Sequence, residues 1–195
     1  MLGIDRAGFV GEDGETHHGL FDVAMLSTVP TATLYSPCDT SELSVCLEQA
    51  LYSDTGISAV RYPRGCELSH SDNDKYCDYK YISGGNKKLV FVYGRIAAYA
   101  KDLSDTADIL QAIKIYPISD EIIKICLEYD EIYVFEEGER DGGIAQKLCT
   151  ALVIAGYKGK FSITAVDGFI RHASVATQLR NAKLDTDGMR EIIGG

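Results

Sequence analysis

The sequence predicts an α/β protein with mostly parallel sheets and helices on both faces. Three observations carry this. Apolar runs of strand length alternate along the chain with helical stretches, the order that parallel sheets require. Hydrophobic residues make up 46% of the 195, enough to build a core. A Ser-, Asp- and Asn-rich stretch then splits the alternation into two runs.

The elements follow in order. Met1-Leu2-Gly3-Ile4 reads as the end of a buried strand with nothing before it, which suggests that the chain starts inside a domain. Residues 3–19, with Gly8, Gly11, Gly14 and Gly19, read as a long loop of the kind that carries function. A short helix is expected from Leu20 to Leu26 and a strand from Ala32 to Tyr35. Asp39 and Glu42 have the spacing of a capping box. Leu43, Cys46, Leu47, Ala50 and Leu51 follow as one apolar helical stripe. Gly56 ends that unit, and a strand from Ile57 to Tyr62 stops at Pro63. The polar stretch from Cys66 to Asp78 is the expected linker, so the division is 1–65, 66–78 and 79–195.

In the second run Leu89 to Tyr93 reads as a buried strand, and Gly94 opens a helix. Ile109 to Ile115 is the next strand. Ser119 is an N-cap, with Asp120 and Glu121 suited to a first helical turn. A strand from Ile132 to Phe135 and a helix marked by Ile144, Leu148, Leu152 and Ala155 come next. A strand from Phe161 to Val166 and a last helix capped by Asp185 complete the pattern. The first 65 residues hold few strands, so they are expected to pack on the second unit, pack on another copy, or stay mobile.

Charge and cysteine usage narrow the class. Net charge is -10, which speaks against nucleic acid and against docking on an anionic membrane. No apolar run approaches the ~20 residues needed to cross a bilayer, and the longest, Leu89 to Ala100, is broken by Arg95. None of the six cysteines has C-x-x-C spacing, so a zinc knuckle is not expected and a reduced, cytoplasmic protein fits.

Two segments lie where open parallel sheets bind ligands, beyond the carboxyl ends of strands. One runs from Asp5 to Gly19 and the other from Val60 to Gly65. Residues 1–65 contain no lysine, nine carboxylates and only three arginines: Arg6, Arg61 and Arg64. Arginine suits phosphate because its planar fork donates two parallel hydrogen bonds. The alternative is that each arginine pairs with a nearby carboxylate. His17 and His18 point in different directions, so at most one is expected to face a site, as a proton shuttle or simply as a loop residue. Tyr93-Gly94-Arg95 can bind an anion at a helix start or serve tight packing. The charge run from Glu136 to Asp141 reads as a solvated loop.

The stretch from Asp5 to Asp22 closely resembles the D-R-A-G-x-V-G-x-D-G-x-T-H-x-G-x-F-D motif of 1-deoxy-D-xylulose-5-phosphate synthases. Val60-Arg61-Tyr62-Pro63-Arg64-Gly65 resembles that family's R-Y-P-R-G. A looser likeness runs through Pro117, Val134 to Glu137, Gly142-Gly143 and Asp187-Gly188-Met189. The resemblance implies the end of a transketolase-like pyrimidine-binding domain followed by a three-layer α/β/α C-terminal domain. It implies condensation of pyruvate with glyceraldehyde 3-phosphate with loss of CO₂, using thiamine diphosphate and Mg²⁺ in the complete enzyme. Carried over by motif, Arg6 and Arg64 hold the substrate phosphate, and Asp13 and His17 face the reacting carbons. Arg61 is left to a structural pair.

The family's G-D-G metal–diphosphate motif and its cofactor-activating glutamate do not occur here. The chain alone is therefore expected to bind no cofactor tightly and to be inactive. The partner expected is the missing N-terminal portion, with a homodimer as the assembly. Other departures are Tyr116 in place of a basic residue and Ala173 where glycine is common. Two competing readings stand beside this one: a non-catalytic dimerisation or interaction module, and the β-type half of a related thiamine diphosphate enzyme.

Overall fold

The computed structural model describes residues 1–65 and 75–195; most of the expected linker, Cys66 included, lies outside the described residues. In chain order the elements are β1 (Leu2–Ile4), α1 (Asp22–Leu26), β2 (Ala32–Tyr35), α2 (Thr40–Tyr52), β3 (Ile57–Arg61), β4 (Tyr79–Ile82) and β5 (Lys88–Tyr93). Then come α3 (Ala97–Ala100), β6 (Asp108–Ala112), β7 (Lys114–Tyr116), α4 (Asp120–Leu127), β8 (Glu131–Glu139), α5 (Ile144–Ile154), β9 (Lys160–Val166), α6 (Val175–Asn181) and α7 (Thr186–Gly194).

Among the described residues the strands form two sheets. The first has the order β1-β3-β2-β7, parallel except for β7. The second has the order β4-β6-β5-β8-β9, parallel except for β4. Successive side chains of a strand leave on opposite faces, and β5 shows the resulting layers. Val90 and Val92 pack with Ile96, Leu103, Leu179, Met189 and Ile193, under α3, α6 and α7. Leu89, Phe91 and Tyr93 pack with Ile122, Cys126, Leu148 and Leu152, under α4 and α5. The expected α/β/α sandwich is there.

Helix starts follow the local rules. Asp39 accepts from the Glu42 amide at 2.9 Å, and the Glu42 carboxylate reaches back to the Cys38 amide at 2.7 Å. Ser119 and Asp185 accept from the amides of Ile122 and Gly188. Of the expected stripe on α2, Cys46 and Ala50 are buried, whereas Leu51 is exposed.

Several expectations change. β1 is an edge strand, so its side chains are largely exposed rather than buried. The expected strand from Ile109 to Ile115 is two strands in two sheets. Ile113 is the pivot: its amide donates to Asp78 O at 2.8 Å, and its carbonyl accepts from the Ser36 amide at 2.8 Å. That exchange of partners carries the chain from β6 in one sheet to β7 in the other. β4 and α6 had no clear sequence signal. β8 continues four residues past Phe135.

The first unit packs on the second. Phe9, Leu20 and Cys38 enter the core on one face of the five-stranded sheet. Val23, Leu34 and Ala59 enter the core on the other. Glu42, buried in α2, pairs with Lys80 of β4 at 2.6 Å and accepts from Gln111 of β6 at 2.9 Å.

Candidate phosphate-binding site

Adjacent parallel strands deliver the two motif arginines. β1 and β3 pair with Ile4 opposite Arg61. The ladder continues past both strand ends, with the Tyr62 amide on Ile4 O and the Ala7 amide on Tyr62 O, each at 3.0 Å. Between those bonds Arg6 adopts a left-handed backbone, φ 59°. That conformation is unfavourable for a residue with a Cβ and persists only where neighbouring contacts impose it. Arg64 follows Pro63 at the end of β3.

The two guanidinium groups meet. Arg6 Nη1 lies 3.3 Å from Asp13 Oδ2, and Arg64 Nη1 donates to the same oxygen. Asp13 closes the 3₁₀ turn Gly11–Asp13. The hydrogen bond from Arg64, reinforced by the charges of Arg64 and Arg6, holds its pKa below the usual carboxylate range. His17 lies in the next turn, Glu15–His17, on the exposed side, with Nδ1 3.2 Å from Thr16 Oγ1. Its charge also bears on Asp13. The structure thus brings Arg6, Asp13 and Arg64 into contact and leaves His17 beside them, facing water.

Arg61 takes a different part. It is buried, forms an ion pair with Asp22 at 2.8 Å and donates to Gly19 O at 3.1 Å. Burial pulls its pKa down, and Asp22 more than restores it. His18 turns inward: its Nδ1 accepts from the Val10 amide at 3.0 Å, and its ring stands edge-on to Phe9.

Two further residues support the loop, Glu137 of β8 and Arg95 in the turn after β5. Glu137 accepts from the Phe9 amide at 2.7 Å, and Arg95 donates to Phe9 O at 2.7 Å and to both Glu137 oxygens. Glu136 accepts from Tyr93 Oη at 2.6 Å and from the amides of Ile144 and Ala145 at 2.9 and 2.8 Å. Both glutamates are buried, so this part of the charge run is not a solvated loop. At Gly94, a Cβ would press on Ser36 Oγ at 2.8 Å, and Arg95 is occupied by Glu137 and Phe9, so the segment serves packing rather than anion capture. The sequence signal for Glu136 was available: a carboxylate directly after a buried apolar run and shortly before a helix start, where two unpaired amides attract it.

Residues 1–66 match the family model for the transketolase pyrimidine-binding domain. The whole chain superposes on a solved structure described as a split gene transketolase, inactive beta4 tetramer, with a TM-score of 0.84 and 14% identity, covering 98% of this chain and 65% of that one. This is a transketolase-like fold. It joins a pyrimidine-binding region to a C-terminal-like domain. The chain is 28% identical to the 1-deoxy-D-xylulose-5-phosphate synthase of Thermus thermophilus over 202 residues, covering 99% of this chain and 32% of that protein. It is 30% identical to the synthase of Bacteroides fragilis over 208 residues, covering 97% of this chain and 32% of that protein. The chain therefore spans about a third of the length of the curated relatives it matches.

The motif resemblance implies thiamine diphosphate and Mg²⁺ in the complete enzyme. The described residues do not fit that metal ion. Among the described residues no three His, Cys, Asp or Glu side chains are grouped to hold a metal ion, and the Asp13 carboxylate is engaged by two arginines. No described helix is long and apolar enough to cross a membrane.

Proposed function

We propose that this chain supplies the C-terminal third of a 1-deoxy-D-xylulose-5-phosphate synthase, which joins pyruvate to glyceraldehyde 3-phosphate with release of CO₂. Its contribution is the clamp for the aldehyde's phosphate. The observation that carries this is the convergence of Arg6 and Arg64 on one oxygen of Asp13 from the ends of neighbouring parallel strands. A phosphate dianion carries more charge and more acceptor oxygens than a carboxylate, so the two arginine forks favour it over Asp13. The exchange frees Asp13 to face the substrate, with His17 next to it to donate a hydrogen bond to a developing alkoxide or to move a proton. Cofactor, metal and the remaining machinery come from an N-terminal portion on another chain or another segment.

The test is a reconstituted enzyme, this chain mixed with the N-terminal portion of a homologous synthase. Arg64→Ala is expected to raise KM for glyceraldehyde 3-phosphate roughly 10- to 100-fold, the worth of one charge-assisted hydrogen bond. KM for pyruvate, which has no phosphate, should hardly move. Equal effects on both substrates would sink the clamp.

A second reading draws on the solved structure with the same fold, an inactive assembly of one subunit type from a split gene. It makes this chain a subunit that is silent until its partner binds. Activity that appears only on mixing supports it, and turnover by this chain alone removes it.

A further inference from the structure

We infer that Arg95, in the turn directly after β5, and Glu137, in β8, are positioning residues for the Arg6–Asp13–Arg64 cluster beside the other sheet. The inference rests on the phosphate-clamp reading for its substrate, and on geometry alone for the anchoring. Phe9, three residues after Arg6 and four before Asp13, has both its backbone groups captured by the pair. Its amide donates to Glu137 Oε1 at 2.7 Å and its carbonyl accepts from Arg95 Nη2 at 2.7 Å. The clamp itself is closed by the Arg95–Glu137 ion pair, with Arg95 Nε 2.9 Å from Glu137 Oε2.

The pair is buried, whereas the arginines it would position are about half exposed. A buried, hydrogen-bonded pair holds a fixed place, and exposed arginines do not fix themselves. Gly8 fits the device: its φ is 77°, and a Cβ there would overlap the Glu137 carboxyl. A side chain at that point would have to displace the carboxylate that holds the Phe9 amide. Upstream, the Ala7 amide is held by Tyr62 O, and Gly8 and Gly19 exchange backbone bonds at 2.8 and 2.9 Å. Arg6, in its left-handed conformation, is thus bracketed between the end of β3 and the Arg95–Glu137 pair.

Arg95 uses its fork: one nitrogen faces Glu137 Oε2 while another serves Phe9 O. A lysine keeps the charge but not the two-sided geometry. The experiment uses the full chain, unsubstituted and as Arg95→Lys, with glyceraldehyde 3-phosphate as probe and glyceraldehyde as the uncharged control. Binding is read by calorimetry, and backbone order by hydrogen exchange. The expected result is roughly tenfold weaker binding of the phosphorylated probe, since small displacements of binding groups cost about this much or more. Exchange should quicken at residues 7–19 and stay unchanged along β5 and β8. Glu137→Gln, which keeps an acceptor for the Phe9 amide, is expected to loosen the same residues less. Unchanged exchange at 7–19 in both variants overturns the inference, as does faster exchange spread evenly over both sheets. If the unsubstituted chain ignores the probe while Arg95→Lys still loosens residues 7–19 alone, the phosphate reading fails and the anchor stands.

Discussion

His18 is the residue at which solution pH should be felt. Burial lowers its pKa from the usual 6.5, and its Nδ1 can accept from the Val10 amide only while unprotonated. Glu137 and Glu15 pull the other way, and Arg95 acts with burial. Above pH 6.5 both folded and unfolded chains carry a neutral His18, and its contribution to stability is complete. As pH falls below 6.5 the unfolded chain takes the proton first, so stability drops until the folded pKa is passed. Urea unfolding measured between pH 7.5 and 5 should show this decline, and His18→Gln should flatten it. A profile identical in the two proteins would mean that other groups carry the pH dependence. The sequence showed two adjacent histidines and the alternation of direction between them, which is why only one was expected to face a site. It could not show which, because the answer depends on the Val10 amide and on Gln178, 160 residues away.

At the scale of elements, helix α5 depends on a residue outside itself. Its N-cap is Gly143, which has no side chain to offer, and the amides of Ile144 and Ala145 bond instead to the Glu136 carboxylate from β8. Burial raises the pKa of Glu136, while Tyr93 Oη and the two amides act to lower it. Glu136→Ala would leave three buried donors unpaired, so a loss of about 3 kcal/mol or more is expected in denaturant unfolding. Glu136→Gln, which keeps the acceptor oxygen, should cost less. Equal costs would mean that packing rather than hydrogen bonding sets the value. Capping was legible where the cap is local, as at Asp39, Ser119 and Asp185, because side chain and amide lie three residues apart. At Glu136 the signal, an apolar run before it and a helix start after it, was masked by acidic neighbours that gave it the look of a surface run. Buried strands such as Leu89 to Tyr93 were plain from apolar content, but the break at Ile113 was hidden because no glycine or proline marks it and apolar residues recur on both sides, Ile109 and Leu110 before it and Ile115 after it.

For the whole molecule, the first unit and the second share two cores and the Glu42–Lys80 ion pair, and one continuous segment, β6 into β7, joins the two sheets. Units tied in this way unfold together. Far-ultraviolet circular dichroism and the fluorescence of a tyrosine set drawn from both sheets should therefore trace one denaturant transition. Two separated transitions would show that the first 65 residues melt on their own. The alternation of strand and helix was enough to read the α/β class and its layers. The close seating of the first unit on the second was not, since it is made by Phe9, Leu20, Val23 and Cys38, apolar residues that any fold would bury somewhere.

The path of the backbone through β7 has a practical result. Chain order visits the four-stranded sheet, leaves for β4, β5 and β6, returns for β7 and departs again. No single scissile point yields two pieces that each keep a whole sheet. Severing the chain in the polar linker would leave β2 paired with β3 alone on one fragment and Lys114 to Tyr116 dangling from the other. Anyone dissecting this protein into halves would have to make two cuts, or move β7 by circular permutation.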